Sequence, residues 1–388
     1  MPLALWVGFR SSQVELVQLL QKMVDAKASD MFVTAGMPVA AKINGELLPI
    51  DETPLSGEDS LAIVLAAMNE KQKNEFLKVK ECNFAVANEA GRFRVSAFFQ
   101  RDQAGMVVRR IVTTIPNADD LGLPPILKEI IMSKRGLVLF VGGTGTGKST
   151  SLAALIGYRN KNARGHILTI EDPIEFVHDH HKSLITQREV GIDTESFDAA
   201  LKSSLRQAPD VILIGEIRSQ DTMEYALSFA ETGHLCIATL HANNANQAID
   251  RIMHLVPKEK HGKLLFDLSL NLRAIVAQQL IPTPDGSRRI AAIEVLLNSP
   301  LVADLIKRGE IDEVKAVMSK SRELGMQTFD QALYDLYQRN QISYADALHH
   351  ADSPNDLRLM IKLRNNETAG AGFLANVTVD GLEKPEKN

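Results

Sequence analysis

Gly142, Gly147, Lys148 and Ser149 stand at the spacing G-x-x-x-x-G-K-[ST], and one kind of chemistry needs that spacing: the holding of a chain of phosphates. The glycines let the backbone turn so that its amide N–H groups point at an anion, and the positive end of a following helix adds to the field. On this reading Gly142, Gly143, Thr144, Gly145, Thr146, Gly147, Lys148, Ser149 and Thr150 hold a nucleotide. The Lys148 ammonium reaches the β- and γ-phosphates, and the Ser149 hydroxyl takes one position on Mg²⁺. An apolar run at 137–141 fits a buried strand before the loop, and a helical pattern starts at Lys148, which is the context this chemistry requires. Asn160-Lys161-Asn162-Ala163 lacks the aspartate of a guanine-reading N-K-x-D, so the nucleotide is read as ATP.

Two further strand-like runs end in acids. Residues 167–170 lead into Glu171, Asp172 and Glu175, with Pro173 stopping the strand, so the carboxylates project where parallel sheets place ligands. A carboxylate there can orient and activate the water that attacks a γ-phosphate. Residues 211–214 lead into Gly215-Glu216-Ile217-Arg218. Glu216 is read as acting on Mg²⁺ through a water or as positioning the attacking water; Arg218 either senses the γ-phosphate or pairs with a carboxylate. His234 and His241 bracket a third run at 235–239, and either imidazole can report a γ-phosphate to a moving element.

Arg92, Arg94, Arg101, Arg109 and Arg110 crowd one expected hairpin. They are either a solvated face or arginine fingers that reach a nucleotide across a boundary. The run His178-Asp179-His180-His181 cannot converge on one metal ion without help from elsewhere.

The elements that must position these groups fall into two sets. A helix from Ser12 to about residue 28, strands at 31–34, 39–43 and 46–50 with an Asn44-Gly45 turn, a helix at 56–68, and strands at 82–87, 93–99 and 106–112 make a small α+β domain over 12–114. Residues 115–125, rich in proline and aspartate, read as a linker. From 126 to about 365 strands alternate with helices, which implies a parallel sheet with crossover helices; beyond residue 250 the pattern reads as mostly helical. The segments 1–11 and 366–388 read as a disordered extension and a disordered tail. The whole is an α/β protein.

Its 43 basic and 48 acidic residues argue against a nucleic-acid partner. Two distant cysteines, Cys82 and Cys236, exclude a disulfide framework and a cysteine-rich zinc site and suit the cytoplasm. No apolar run approaches a membrane span.

The phosphate loop, the acidic box from Ile170 to His178, the Gly215–Arg218 segment, and Gly233-His234 through Thr239-Leu240-His241 occur in the order and spacing of secretion ATPases of the type II/type IV pilus class. Ala28-Ser29-Asp30 and Gly91-Arg92-Phe93-Arg94-Val95 resemble the twitching-motility retraction ATPases of the PilT/PilU family. Gln207-Ala208-Pro209-Asp210 and the longer tail resemble the PilU branch more than the PilT branch. Where PilT carries Ala-Ile-Arg-Asn-Leu, this chain has Leu301-Val302-Ala303-Asp304-Leu305, a departure that bears on whether it retracts pili unaided. The resemblance implies a PAS-like first domain, a RecA-like ATPase domain with a helical C-terminal part, and a homo-hexamer with nucleotide between subunits. It further implies Glu175 as catalytic acid, Glu216 as Walker B acid, and work at the cytoplasmic face of the inner membrane beside a pilus platform protein and a companion retraction ATPase. Two rival readings are a nucleotide-switched accessory subunit with weak turnover, and a pilus assembly or type II secretion ATPase.

Overall fold

The computed structural model describes residues 16–43, 45–111 and 114–363. The expected extension, the Ser12 cap, the Asn44 half of the turn, the end of the 106–112 strand and the tail lie outside these residues. The chain divides into two compact units: one takes in the chain up to Pro116 together with Asn160–Pro209, the other Asn117–Arg159 and everything from Asp210 on.

In the first unit a helix at 16–25 (α1) is followed by β1 (Asp30–Thr34), β2 (Ala40–Ile43), β3 (Glu46–Pro49), α2 (Gly57–Ala66), α3 (Glu70–Val79), β4 (Glu81–Asn88), β5 (Gly91–Gln100) and β6 (Gln103–Ile111). The six strands form an antiparallel sheet in the order β3-β2-β1-β6-β5-β4. Two helix starts are fixed by reciprocal capping boxes, Ser56 with Asp59 and Asn69 with Gln72, each satisfying backbone N–H groups the helix cannot. Alternation along β5 and β6 turns Phe93, Val95, Met106 and Val108 inward against Leu19, Leu20 and Met23 of α1, each burial contributing about 1.5–3 kcal/mol. The same unit holds β8 (Gly165–Glu171), β9 (Ser183–Glu189), parallel to β8, and α6 (Phe197–Ser204).

The second unit holds α4 (Ile126–Ile131), β7 (Gly136–Val141), most of α5 (Lys148–Asn162), β10 (Val211–Ile214), α7 (Gln220–Glu231), β11 (Leu235–Leu240), α8 (Ala245–His254), α9 (His261–Asn271), β12 (Leu272–Pro282) and β13 (Arg289–Leu297). Helices α10 (Pro300–Arg308), α11 (Val314–Ser319), α12 (Phe329–Gln338) and α13 (Tyr344–His350) follow, with a last helical stretch at 354–363. Its strands lie in the order β13-β12-β7-β11-β10, parallel from β12 to β10, with β13 antiparallel to β12.

The long hairpin β12–β13 corrects the expectation of helix beyond residue 250. Leu272–Pro282 is buried from Ala274 through Gln278, so both faces of the strand are covered. A run apolar on both faces loses the period of two that would betray a strand.

Candidate functional site

The phosphate loop leaves the carboxyl end of β7, a strand buried along its whole length between β11 and β12. Gly142, Gly145 and Gly147 have φ of +155°, +77° and +85°, in the region where only glycine sits without strain. A Cβ on Gly142 would come within 2.6 Å of Thr146 Oγ1 and 2.7 Å of the Gln278 carbonyl oxygen, and one on Gly147 within 2.9 Å of Gln278 Nε2. Gly143 has ordinary φ, and a Cβ there would meet no atom of the described residues nearer than 3.9 Å, its chain neighbours aside. The four glycines therefore differ in rank: two are fixed by space and dihedral together, Gly145 by dihedral alone, and Gly143 by neither.

Lys148 Nζ donates to the carbonyls of Gly142 and Gly143, both at 2.8 Å, which lays its positive charge inside the loop. Thr146 Oγ1 donates to the Gly143 carbonyl at 3.0 Å. Ser149 and Thr150, partly exposed, open the first turn of the 15-residue helix α5, whose N-terminus faces the same space. Next to Gly147 and Thr150 lies a cavity of about 380 Å³, walled further by Leu121, Gln278, Leu280 and Ala291. Its size suits a nucleoside, and the expected linker supplies part of its wall.

In the same unit Glu216 follows β10. The Thr239 hydroxyl donates to the Gly215 carbonyl and the Ile217 N–H donates to the Thr239 carbonyl at 2.9 Å, so β11 sets the height of the acid. Arg218 Nε donates to Glu216 Oε2 at 2.6 Å, and His241 Nε2 lies 3.2 Å from Oε1. Glu216, Arg218 and His241 thus form one cluster in which both carboxylate oxygens are engaged. A second lone pair on each oxygen stays open to a water or a metal ion. The Ser149 hydroxyl and the Glu216 carboxylate offer hard oxygen donors, the kind Mg²⁺ takes alongside phosphate and water.

His234 is not brought to this cluster. It stands at the amino end of β11, where Gly136 N–H donates to its carbonyl and its ring meets Thr232 Oγ1 and the Phe229 carbonyl at the end of α7. At about 3.3 Å per residue, the length of β11 puts it about 20 Å from His241.

In the first unit, β9 holds the acidic box. Gln187 Nε2 donates to Glu171 Oε1 at 3.2 Å and to the Phe176 carbonyl at 2.9 Å, and its Oε1 accepts from His178 N–H at 2.8 Å. Glu189 Oε2 accepts from the Ile174 N–H at 3.2 Å. Glu175 is consequently an exposed carboxylate on a backbone held from both sides. Burial pushes the Glu171 carboxyl up to about 7, against the hydrogen bonds from Thr169 and Gln187. Burial also raises Glu189, while Arg94 and Arg92 pull it down.

The five arginines divide by register. Arg92, Arg94 and Arg109 share one sheet face, with Arg94 opposite Arg109; Arg92 and Arg94 act electrostatically on Glu189, and Arg109 pairs with Asp30 at 2.8 Å. Arg110 lies on the other face, opposite Phe93. Arg101 is exposed in the β5–β6 turn.

Sequence reasoning missed Gln187, Glu189 and Gln278. On β9 the buried positions are Ser183, Ile185 and Glu189 while Leu184 faces out, 54 % exposed, so polar and apolar residues share each face and the alternation that marks a strand is lost there.

The sequence profile of the type II/IV secretion system protein family matches residues 11–345. The chain belongs to that family. Like its relatives it is an ATPase, and within the family it groups with PilT and PilU. It is 62 % identical over 357 residues to the type IV pilus ATPase PilU of Pseudomonas aeruginosa, covering 92 % of this chain and 94 % of that one. The type IV pilus retractation ATPase PilT of the same organism is 38 % identical over 344 residues, 88 % of this chain and all of PilT. A crystal structure of the pilus retraction motor PilT with bound ADP superposes with a TM-score of 0.82 at 37 % identity, over 88 % of this chain and 98 % of that one. Among the described residues of this family member, no helix is long and apolar enough to cross a membrane.

Proposed function

We propose that this chain is an ATP-driven motor of the type IV pilus machinery that works in pilus retraction, as a ring of six, alongside a companion retraction ATPase. The observation that carries the reading is the pairing of a sterically fixed phosphate loop with the Glu216–Arg218–His241 cluster in one unit. The pilus assignment rests on the 62 % identical relative named as a type IV pilus ATPase. In this reading the loop and Lys148 hold the phosphates and the cavity beside Thr150 takes the nucleoside. Glu175 positions the attacking water, and His241 and Arg218 respond to the γ-phosphate through Glu216. Mg²⁺, held by Ser149 and through water by Glu216, would neutralise charge on the β- and γ-phosphate oxygens.

The ring supplies what one chain lacks, an arginine from a neighbour to offset charge developing on the transferred phosphoryl. Arg92, Arg94, Arg101, Arg109 and Arg110 are the candidates, and His234, remote from its own loop, acts only across such a boundary. The pilus platform protein is the partner on the membrane side, with the ring at the cytoplasmic face. The 115–125 segment is the linker between the 12–114 and 126–365 domains.

One observation favours a second reading, an accessory subunit with weak turnover. The segment Leu301–Leu305 lies on α10 with Leu301 exposed and Asp304 paired to Arg308 at 3.0 Å, where PilT carries a different motif. Turnover by the purified full-length protein, with and without the companion ATPase, separates the two. Robust turnover alone supports the motor, and turnover below detection in both settings overturns it. Ala291→Trp, which fills the cavity, should raise the KM for ATP about tenfold; an unchanged KM moves the nucleoside elsewhere.

A further inference from the structure

Gln278 stands on β12 between the phosphate loop and the cavity, and it is 2 % exposed. It meets the loop at both of its fixed glycines: its backbone carbonyl limits Gly142 and its side-chain nitrogen limits Gly147. Nε2 donates to the Thr146 carbonyl at 2.9 Å. A carbonyl accepts and cannot donate, so this bond dictates the orientation of the amide and turns Oε1 away from Thr146. That oxygen is buried and has no hydrogen-bond partner among the described residues, an arrangement native proteins rarely tolerate without a use for it.

We propose that Gln278 is a positioning residue for the ATPase reaction, holding the phosphate loop with its amide N–H₂ while its buried amide oxygen accepts a hydrogen bond from a nucleoside donor in the adjoining cavity. The inference rests on the reading that the nucleoside occupies that cavity. A nucleoside brings two kinds of donor, ribose hydroxyls and an exocyclic amino group, and either completes the acceptor. The amide then joins the two halves of the ligand: the loop that grips the phosphates is tensioned by the same group that reads the nucleoside. In this role Gln278 touches no reacting atom and acts through the loop.

The test uses full-length protein and Gln278→Met, which keeps the length and packing of the side chain but removes the amide. Steady-state turnover is measured with ATP, 2′-deoxy-ATP, 3′-deoxy-ATP and purine riboside triphosphate, with inorganic triphosphate as competitor. In the native protein at least one analogue should lose about tenfold in kcat/KM, the scale of one hydrogen bond, and the analogue that loses it names the donor. In Gln278→Met the KM for ATP should rise about tenfold with kcat within threefold, inorganic triphosphate should compete more weakly, and the preference among analogues should vanish. A folded Gln278→Met protein with unchanged KM overturns the proposal, as does one that keeps the native preference. Should Gln278→Met not fold, the native protein decides alone: equal use of all four nucleotides overturns the acceptor role. The cavity reading fails separately, through Ala291→Trp.

Discussion

The phosphate loop and the acidic box carry comparable chemical weight but are held in place by different means. The loop is fixed mainly by its own backbone: positive φ at Gly142, Gly145 and Gly147, and contacts from Lys148 and Thr146 to carbonyls three to six residues away. The acidic box is fixed by side chains from another strand, Gln187 and Glu189 of β9, nine to sixteen residues downstream. A loop of the first kind is encoded largely where it stands, with one bond from Gln278 of β12 added from outside, whereas the box depends on side chains that no local pattern announces. The difference teaches that a motif can be conspicuous in sequence while the groups that aim it are not.

The sharpest way to break this comparison is at the loop. Lys148→Ala should lower ATP turnover by about 10³-fold or more and weaken nucleotide binding, because a fixed cation aimed at developing phosphoryl charge is removed. Turnover within twofold of the native protein would falsify the phosphate-loop assignment. At the box, Glu175→Gln should lower turnover about 10²-fold with ATP binding retained, the scale for a lost base or water-positioning group. If Glu216→Gln is inactive and Glu175→Gln is normal, the roles of the two acids are exchanged.

A smaller effect separates the glycines within the loop. Gly147→Ala forces both a φ of +85° and a Cβ at 2.9 Å from Gln278 Nε2, and should cost about tenfold or more in kcat/KM. Gly143→Ala meets neither obstacle and should cost clearly less. Equal losses at the two positions would show that spacing, not sterics, sets the requirement.

Much of the architecture was legible. The strand expected at 211–214 has the observed bounds of β10, and β7 and β11 differ from expectation by a residue at one end. These elements combine dense apolar runs with clear punctuation. Among the elements that escaped, three have a plain physical reason. The 82–99 region was anticipated but α3 before it was not, since Phe76 is its sole buried residue. β9 mixes polar and apolar residues on each face, and β12 is covered on both faces. The site follows the same rule. Glu216 and His241 were readable because each ends an apolar strand, while Gln187, Glu189 and Gln278 sit on the two strands that the pattern concealed.

The remaining predicted effect lies in stability, and it compares the two units directly. Each contains one buried carboxyl raised to about 7: Glu171 in the first, by burial against the Thr169 and Gln187 hydrogen bonds, and Glu294 in the second, by burial against the N–H groups of Ala245 and Phe329 at the starts of α8 and α12. A carboxyl whose folded pKa exceeds its ordinary 4.5 binds more protons folded than unfolded between those values. Its contribution is therefore fully present below about pH 4.5 and is lost as pH rises through about 7, by ~3 kcal/mol for each group. Thermal unfolding followed between pH 6 and 8 should show the native protein losing stability with rising pH. Glu171→Gln, neutral at every pH and still able to accept from Thr169 and Gln187, should remove the part of that slope belonging to the box-bearing unit and raise its midpoint at pH 8 by a few degrees. The slope of the other unit should remain until Glu294 is replaced as well. A Glu171→Gln protein with the native slope would mean that β9 does not keep the acidic box closed in solution, and the contrast between a self-held loop and a strand-held box would lose its second half.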